Sequence, residues 1–274
     1  MTSILTNMAA TLAVNNLNSA SSQASSVLEA MSSGKKINSA SDDASGLAVY
    51  TTMSTDEAAW NQAADNADVA QAILETADGG LSETTDVLNR MYEIASQASS
   101  GSVTDTQRAY LDDEFSQLVT QLDSIVGSTS YSGQSLLDGS YNSSFLVSAN
   151  ASDANSTIDV TIGQAYDSTG LALGSSTVAT STDASTALTA ISAAIDTVSA
   201  GRANVGAMMS RFDYASGVIS TSTENLQSAM SVYMDADVAD LSAQQTQLGV
   251  KMDSAIQALS VANTNIEKIS RLLR

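Results

Sequence analysis

The densest run of ionisable side chains in the sequence is Asp112-Asp113-Glu114. Acid–base catalysis by carboxyl pairs needs two groups facing one substrate. Adjacent helical positions point in different directions, so this run reads as a solvated helix face. The other common reagents are missing. With no His and no Cys, the chain has no Ser-His-Asp relay, no thiolate nucleophile, no disulfide and none of the usual zinc ligands. Sequons stand at Asn142, Asn150 and Asn155, which are modification motifs rather than reagents. No catalytic, cofactor or metal residue is expected. Interest passes to the elements and to the surfaces they carry.

At 274 residues the chain is long enough for one large domain or two ordinary ones. It holds no Pro, which favours long uninterrupted helices. Apolar residues make up 43% but aromatics only 4%, so the core must be built from Ala, Leu, Ile, Val and Met.

The net charge of −20 argues against nucleic-acid binding, which needs clustered Lys and Arg. The charge is also unevenly placed. Residues 1–36 sum to +1 and residues 241–274 to +2, which leaves −23 for the middle. That pattern fits a solvated acidic surface. It also fits ends buried among copies with the centre facing water. No segment approaches the ~18 apolar residues of a membrane span, and no membrane partner is expected. The first 30 residues contain no Lys or Arg, so they do not read as a cleavable secretory signal.

Apolar residues recur at alternating spacings of three and four, the mark of helices packed on helices. The first seam runs Ala10, Ala13, Leu17, Ala20, Ala24, Val27 and Met31, and Gly34 offers a stop. A second seam starts at Trp60 and continues through Leu74, Leu81, Leu88 and Met91 to Ala98, with Thr84 in its one gap. Gly79-Gly80 lies inside it, yet the phase is kept, which predicts one helix. Thr104 with Gln107 is a candidate capping box for a third helix, expected to end at Gly127. Residues 128–183 lose the rhythm. Thr157–Ile162 alternates polar and apolar, which predicts a small antiparallel hairpin with a strand near Phe145–Val147. A fourth helix is expected from an N-cap at Asp183, with a seam from Leu188 to Tyr233, and an acidic junction at 234–240. The last seam reads Leu241, Leu248, Met252, Ala255, Leu259, Ala262, Ile266, Ile269 and Leu273.

The predicted fold is therefore mainly α, with long coiled-coil-like helices from both termini and a small β-hairpin region in the middle. Both end segments are roughly 45–50 Å long as helices and are natural partners. Two helices alone bury little, and alanines bury less, so this pair should need neighbouring copies. Periodicity alone also fits an antiparallel bundle complete within one chain.

The stretch Ser32-Ser33-Gly34-Lys35-Lys36-Ile37-Asn38-Ser39-Ala40-Ser41-Asp42-Asp43-Ala44-Ser45-Gly46-Leu47-Ala48 closely resembles the signature of bacterial flagellins. So do Ser132–Gly139, with its Leu-Leu-Asp-Gly turn, Arg202–Ala207, Arg211-Phe212-Asp213 and the closing Leu272-Leu273-Arg274. The opening Met1–Asn7 looks most like the short flagellins of alphaproteobacteria.

The resemblance implies a filament subunit for swimming motility, without large central variable domains. An inner coiled-coil domain would come from 1–40 with 236–274, and an outer domain from 41–235 including the hairpin region 128–183. It implies filament-core packing by Leu5, Leu12, Leu17, Val27, Leu248, Leu259, Ile266 and Leu273, and a junction built on Gly34, Ile37, Asn38, Asp42, Asp43 and Gly46. The implied partners are many copies of the chain itself, junction and cap proteins of the flagellum, an export chaperone and the flagellar type III export apparatus. The implied location is the extracellular filament, reached without a cleaved signal. The segment with Leu88, Arg90, Glu93 and Ile94 resembles the one recognised by the innate flagellin receptor of animals. Asn89 and Tyr92 depart from that pattern, so weak recognition at most is expected, and the segment would otherwise serve subunit contacts. N-glycosylation is not expected in this family; O-glycosylation of exposed Ser or Thr in 128–183 fits it better. A hook–filament junction protein is the alternative reading, against which the full signature argues. A protease-bearing relative would need His, and a membrane-active translocator would need broader apolar faces.

Overall fold

Five helices and two small hairpins follow one another in a computed structural model that describes residues 7–150 and 155–272. Without proline to break them, two of the helices are very long. They are α1 (Met8–Ser33), α2 (Ala44–Ser99), α3 (Asp105–Ser128), α4 (Ser181–Met234) and α5 (Val238–Leu272). Between α3 and α4 lie β1 (Ser130–Tyr131), β2 (Gln134–Ser135), β3 (Tyr141–Leu146) and β4 (Thr157–Ile162). Helices from both ends and a small central β region form the architecture that the periodicity predicts.

Local chemistry sets the boundaries. Gly34 closes α1 in the left-handed conformation at φ 68°, where a Cβ would be strained. The capping box at the start of α3 forms: the Gln107 amide donates to Thr104 Oγ1 at 3.4 Å, and the Thr104 amide donates to Gln107 Oε1 at 2.9 Å. Three helix boundaries move, and the strand expected near Phe145–Val147 runs instead over Tyr141–Leu146. The second helix begins already at Ala44 rather than near Trp60, in a stretch whose apolar residues follow no single seam. The third runs through Gly127 to Ser128, because the Thr129 amide and hydroxyl both bond Ile125 O. In α4 the cap is Thr180, whose Oγ1 accepts the Asp183 amide; Asp183 sits inside the first turn and accepts from that hydroxyl.

The chain divides into two compact units. One comprises the chain up to Thr55 with the chain from Asn225; the other is Asp56–Glu224. In the second, the seam residues Leu74, Leu81, Leu88 and Met91 of α2 share one core with Phe115 and Leu122 of α3 and Ile191, Val198 and Phe212 of α4. Thr84 takes its seam position fully buried, and no partner for its hydroxyl exists among the described residues. The hairpin β3–β4 pairs Tyr141 with Ile162 through Leu146 with Thr157. Ile158, Val160 and Ile162 face inward from it, and Phe145 meets the Phe212 ring edge-on with centroids 5.9 Å apart. In β1–β2, Ser132 and Gly133 turn with φ of 51° and 82°, the positive pair of a type I′ turn. Two glycines permit close approach. Gly80 leaves room for Thr129 and Leu137, and Gly201 carries the buried ring of Tyr166 against its backbone.

Candidate assembly surface

In the first unit, α1 and α5 lie against each other along most of their described length. Asn7 caps α1 by accepting the Ala10 amide at 3.1 Å, and its Nδ2 donates to Ala262 O at 3.2 Å. The contact between the two helices is thin. Its buried cluster is Ala20, Ala24 and Leu248, with Val27 and Met252 packed partly against it. Leu17, Leu259 and Ile266 are half-buried. Leu12 falls off the seam and is 63% exposed, so within the chain it packs against little. Leu5 and Leu273 lie outside the described residues, as does the side chain of Ile269. Met8, Leu28, Val250, Ile256 and Val261 are also exposed. Two shallow grooves of about 510 and 540 Å³ run between the helices, one lined by Ala13, Ala20, Ala255 and Ala258, the other by Val27 and Leu248. A side chain from outside could enter either.

The signature segment folds as a tight connection between α1 and α2. Beyond Gly34, the backbone at Lys35 pairs antiparallel with that at Asp235, the Lys36 amide donating to Met234 O at 2.6 Å and the Ala236 amide donating back to Gly34 O at 3.0 Å. The turn is thereby tied to the α4–α5 junction, where Asp237 caps α5 by accepting the Ala239 and Asp240 amides. Asp42 Oδ2 accepts the amides of Ser39 and Asn38 at 2.8 and 3.0 Å. These bonds, that from Ser39 foremost, hold its carboxyl below the usual 3.8. Asp43 Oδ1 caps α2 by accepting the Gly46 and Ser45 amides and the Ser45 hydroxyl. The Gly46 bond leads in lowering its pKa. Gly46 is buried where a Cβ would stand 2.6 Å from Asp43 Oδ2 and 2.8 Å from Ile37 Cδ1. Ile37 is buried beneath the turn, while Asn38 is exposed and its Nδ2 reaches Lys35 O at 3.4 Å.

In the second unit, the receptor-like segment splits by burial. Leu88 and Ile94 are 0% and 1% exposed. They are core residues with no side chain to offer a second molecule, which corrects their place in a contact set. Arg90 and Glu93 are at the surface. Arg90 bonds Glu114 Oε1 through Nε and Nη2 at 3.1 and 2.7 Å and Glu93 Oε2 at 2.9 Å. These pairs, the Glu114 hydrogen bond first, raise its pKa.

The acidic run is less idle than its spacing suggests. Besides Glu114 on Arg90, Asp112 Oδ1 accepts the Val178 amide at 2.8 Å and the Thr177 hydroxyl at 2.6 Å. Asp123 likewise takes the Ser168 amide and hydroxyl at 2.7 and 2.9 Å. Two carboxylates of α3 thus pin the irregular segment between β4 and α4. Only Asp113 of the run is exposed. Nothing in the local sequence signals these partners, which lie 45 to 66 residues away.

Comparison with known proteins agrees with this layout. The family model for the bacterial flagellin N-terminal helical region matches residues 4–142, and that for the C-terminal helical region matches 188–273. A flagellin of Listeria innocua is 33% identical over 261 residues, spanning 89% of this chain and 90% of that one. The flagellar filament 30.7 kDa core protein of Treponema maltophilum is 31% identical and covers 90% of both chains. The crystal structure of Bacillus cereus flagellin superposes with a TM-score of 0.50 at 27% identity, over 56% of this chain and 88% of that one. These relatives give the alphaproteobacterial likeness of Met1–Asn7 no support.

Proposed function

Because the chain belongs to the bacterial flagellin family and is a structural subunit of the flagellar filament, we propose that its terminal helix pair is what copies pack together. The observation that carries this reading is the half-finished α1–α5 contact. Its core is mostly alanine, two grooves lie open, and Leu12 and a set of β-branched residues on α5 are exposed. A pair of this kind gains its burial from neighbours. Leu12, Leu17, Val27, Leu248, Leu259 and Ile266 are then filament-core residues in two senses, some closing the intrachain seam and others filling the grooves of the next copy.

The first unit corresponds in this reading to the inner domain and the second to the outer one. The connection through Gly34, Ile37, Asn38, Asp42, Asp43 and Gly46 fixes how α1 returns into α2, and so presents α1 to α5 in one register. Arg90 and Glu93 serve subunit contacts; any recognition by the innate flagellin receptor is weak. The chain is exported through the flagellar type III apparatus with a chaperone, and it meets cap and junction proteins at the filament ends. A chain with no Cys and no Pro refolds without disulfide or prolyl delays after such passage.

The test is seeded polymerisation of full-length protein beside a variant lacking residues 1–30 and 245–274, followed by electron microscopy. Elongation by the full chain alone supports the reading. A truncated chain that elongates seeds equally well defeats it.

A further inference from the structure

The second unit carries 22 acidic side chains and four basic ones, Arg90, Arg108, Arg202 and Arg211. Three of the four are committed. Arg90 holds Glu93 and Glu114, Arg108 reaches Asp105 and the end of α2, and Arg202 holds Asp78. Arg211 is exposed, and among the described residues it has no hydrogen-bonded or ion-paired partner.

Its neighbours on the helix surface are unusual for so acidic a molecule. Tyr214 is 79% and Val218 61% exposed. Together the three stand at i, i+3 and i+7, one face over two turns. Over residues 197–223 of α4 the only carboxylate is Asp213, which is taken by Gln71 Nε2 at 3.4 Å. An apolar stripe headed by an unpaired guanidinium thus sits on a carboxylate-poor stretch of helix.

A face of opposite character lies on α2. Asp65, Asp68 and Glu75 are exposed at spacings of three and seven, again one helical face, with Val69 exposed beside them. None has a partner among the described residues.

We propose that the Arg211–Tyr214–Val218 stripe of α4 docks on the Asp65–Asp68–Glu75 face of α2 in a second copy of this chain, with Arg211 pairing a carboxylate there. The two faces are different patches, so the contact is head-to-tail and does not close a two-fold dimer; such contacts build rings or open helical arrays, and the filament reading selects the array. Charge complementarity selects the occupant. An acidic chain repels itself almost everywhere, and this is where one copy offers an unpaired cation to the other's row of unpaired anions. Arg suits the task because its planar guanidinium meets carboxylates bidentately and loses less on desolvation than an ammonium. The inference rests on the filament reading and extends it to the outer unit.

The experiment is seeded elongation of full-length chains by wild type, Arg211→Glu, and Arg211→Glu combined with Asp68→Lys and Glu75→Lys. Circular-dichroism melts of each unpolymerised chain serve as the check on folding. The single variant should keep its melting temperature but raise the critical concentration by about tenfold or more, since it sets like charges face to face. The triple variant should recover most of that loss. If Arg211→Glu lowers the melting temperature, Arg211→Gln takes its place with the same expectation at smaller amplitude. Normal elongation by the single variant overturns the proposal, as does a triple variant no better than the single one. Either result leaves the terminal helices as the assembly element. Failure of the wild type to elongate seeds removes the filament reading and this inference together.

Discussion

Gly201 and Tyr166 offer the sharpest check on how the second unit is packed. Substituting Gly201→Ala in a helix interior should by itself stabilise by about 1 kcal/mol. Here a Cβ would fall 2.7 Å from Tyr166 Cζ, and closer still to its hydroxyl. The ring is 4% exposed and cannot simply swing aside. The largest possible cost is ejection of the ring, about 3–5 kcal/mol by analogy with aromatic-to-alanine changes. Net of the propensity gain, Gly201→Ala should destabilise, by about 2–4 kcal/mol at most. On a Tyr166→Ala background the obstacle is gone, and the same substitution should stabilise by about 1 kcal/mol. The assay is urea unfolding of the four unpolymerised full-length chains, read by circular dichroism as a double-mutant cycle. The expected coupling is the whole cost of the clash. A Gly201→Ala effect of the same sign and size in both backgrounds would refute the packing argument.

Other substitutions probe single links. Thr84→Val removes a buried hydroxyl without a partner and should raise stability by about 1–2 kcal/mol, seen as a higher melting temperature. Asp112→Ala removes the bonds to Thr177 and Val178 and should cost about 1–3 kcal/mol. Proteolysis between β4 and α4 should quicken with it. For Asp42 and Asp43, folding depresses both carboxyls below 3.8. The stability they supply is therefore present above that pH and lost as pH falls through their folded values. Protection of the Ser39, Ser45 and Gly46 amides from exchange, taken relative to each amide's intrinsic rate at the same pH, should fall in acid, and Asp43→Asn should weaken that pH dependence; an unchanged protection profile would count against the cap geometry.

Much of the fold was legible because its signals are local. The seams of α1, α2 and α4 were readable from three–four spacing, since a helix that buries one face must repeat with its own turn. Gly34 and the Thr104–Gln107 box were readable because caps use backbone geometry within a few residues. Strand β4 showed in its alternation. The acidic run misled for the opposite reason. Whether Asp112 is solvated or holds Val178 depends on a segment many residues later, and no local pattern encodes that. Leu88 and Ile94 show the same limit: a motif names a stretch, and only packing tells which of its side chains reach the surface. For the terminal helices, periodicity marked Leu17, Val27 and Leu248 correctly as seam positions. Leu12 falls between the seam positions Ala10, Ala13 and Leu17, and it is exposed because its phase turns it away from α5.

The hairpin β3–β4 carries one more consequence. Its two arms form a paired stem packed along the core, with Leu146 fixed opposite Thr157. Whatever sequence joins those residues begins and ends at adjacent points, already held by the ladder. Lengthening a flexible joining segment costs only about 0.6 kcal/mol per doubling, and it disturbs neither the helices nor the pinned segment before α4. The stem is thus a doorway. Through it the chain can be lengthened or shortened at one point while the helices on either side stay as they were.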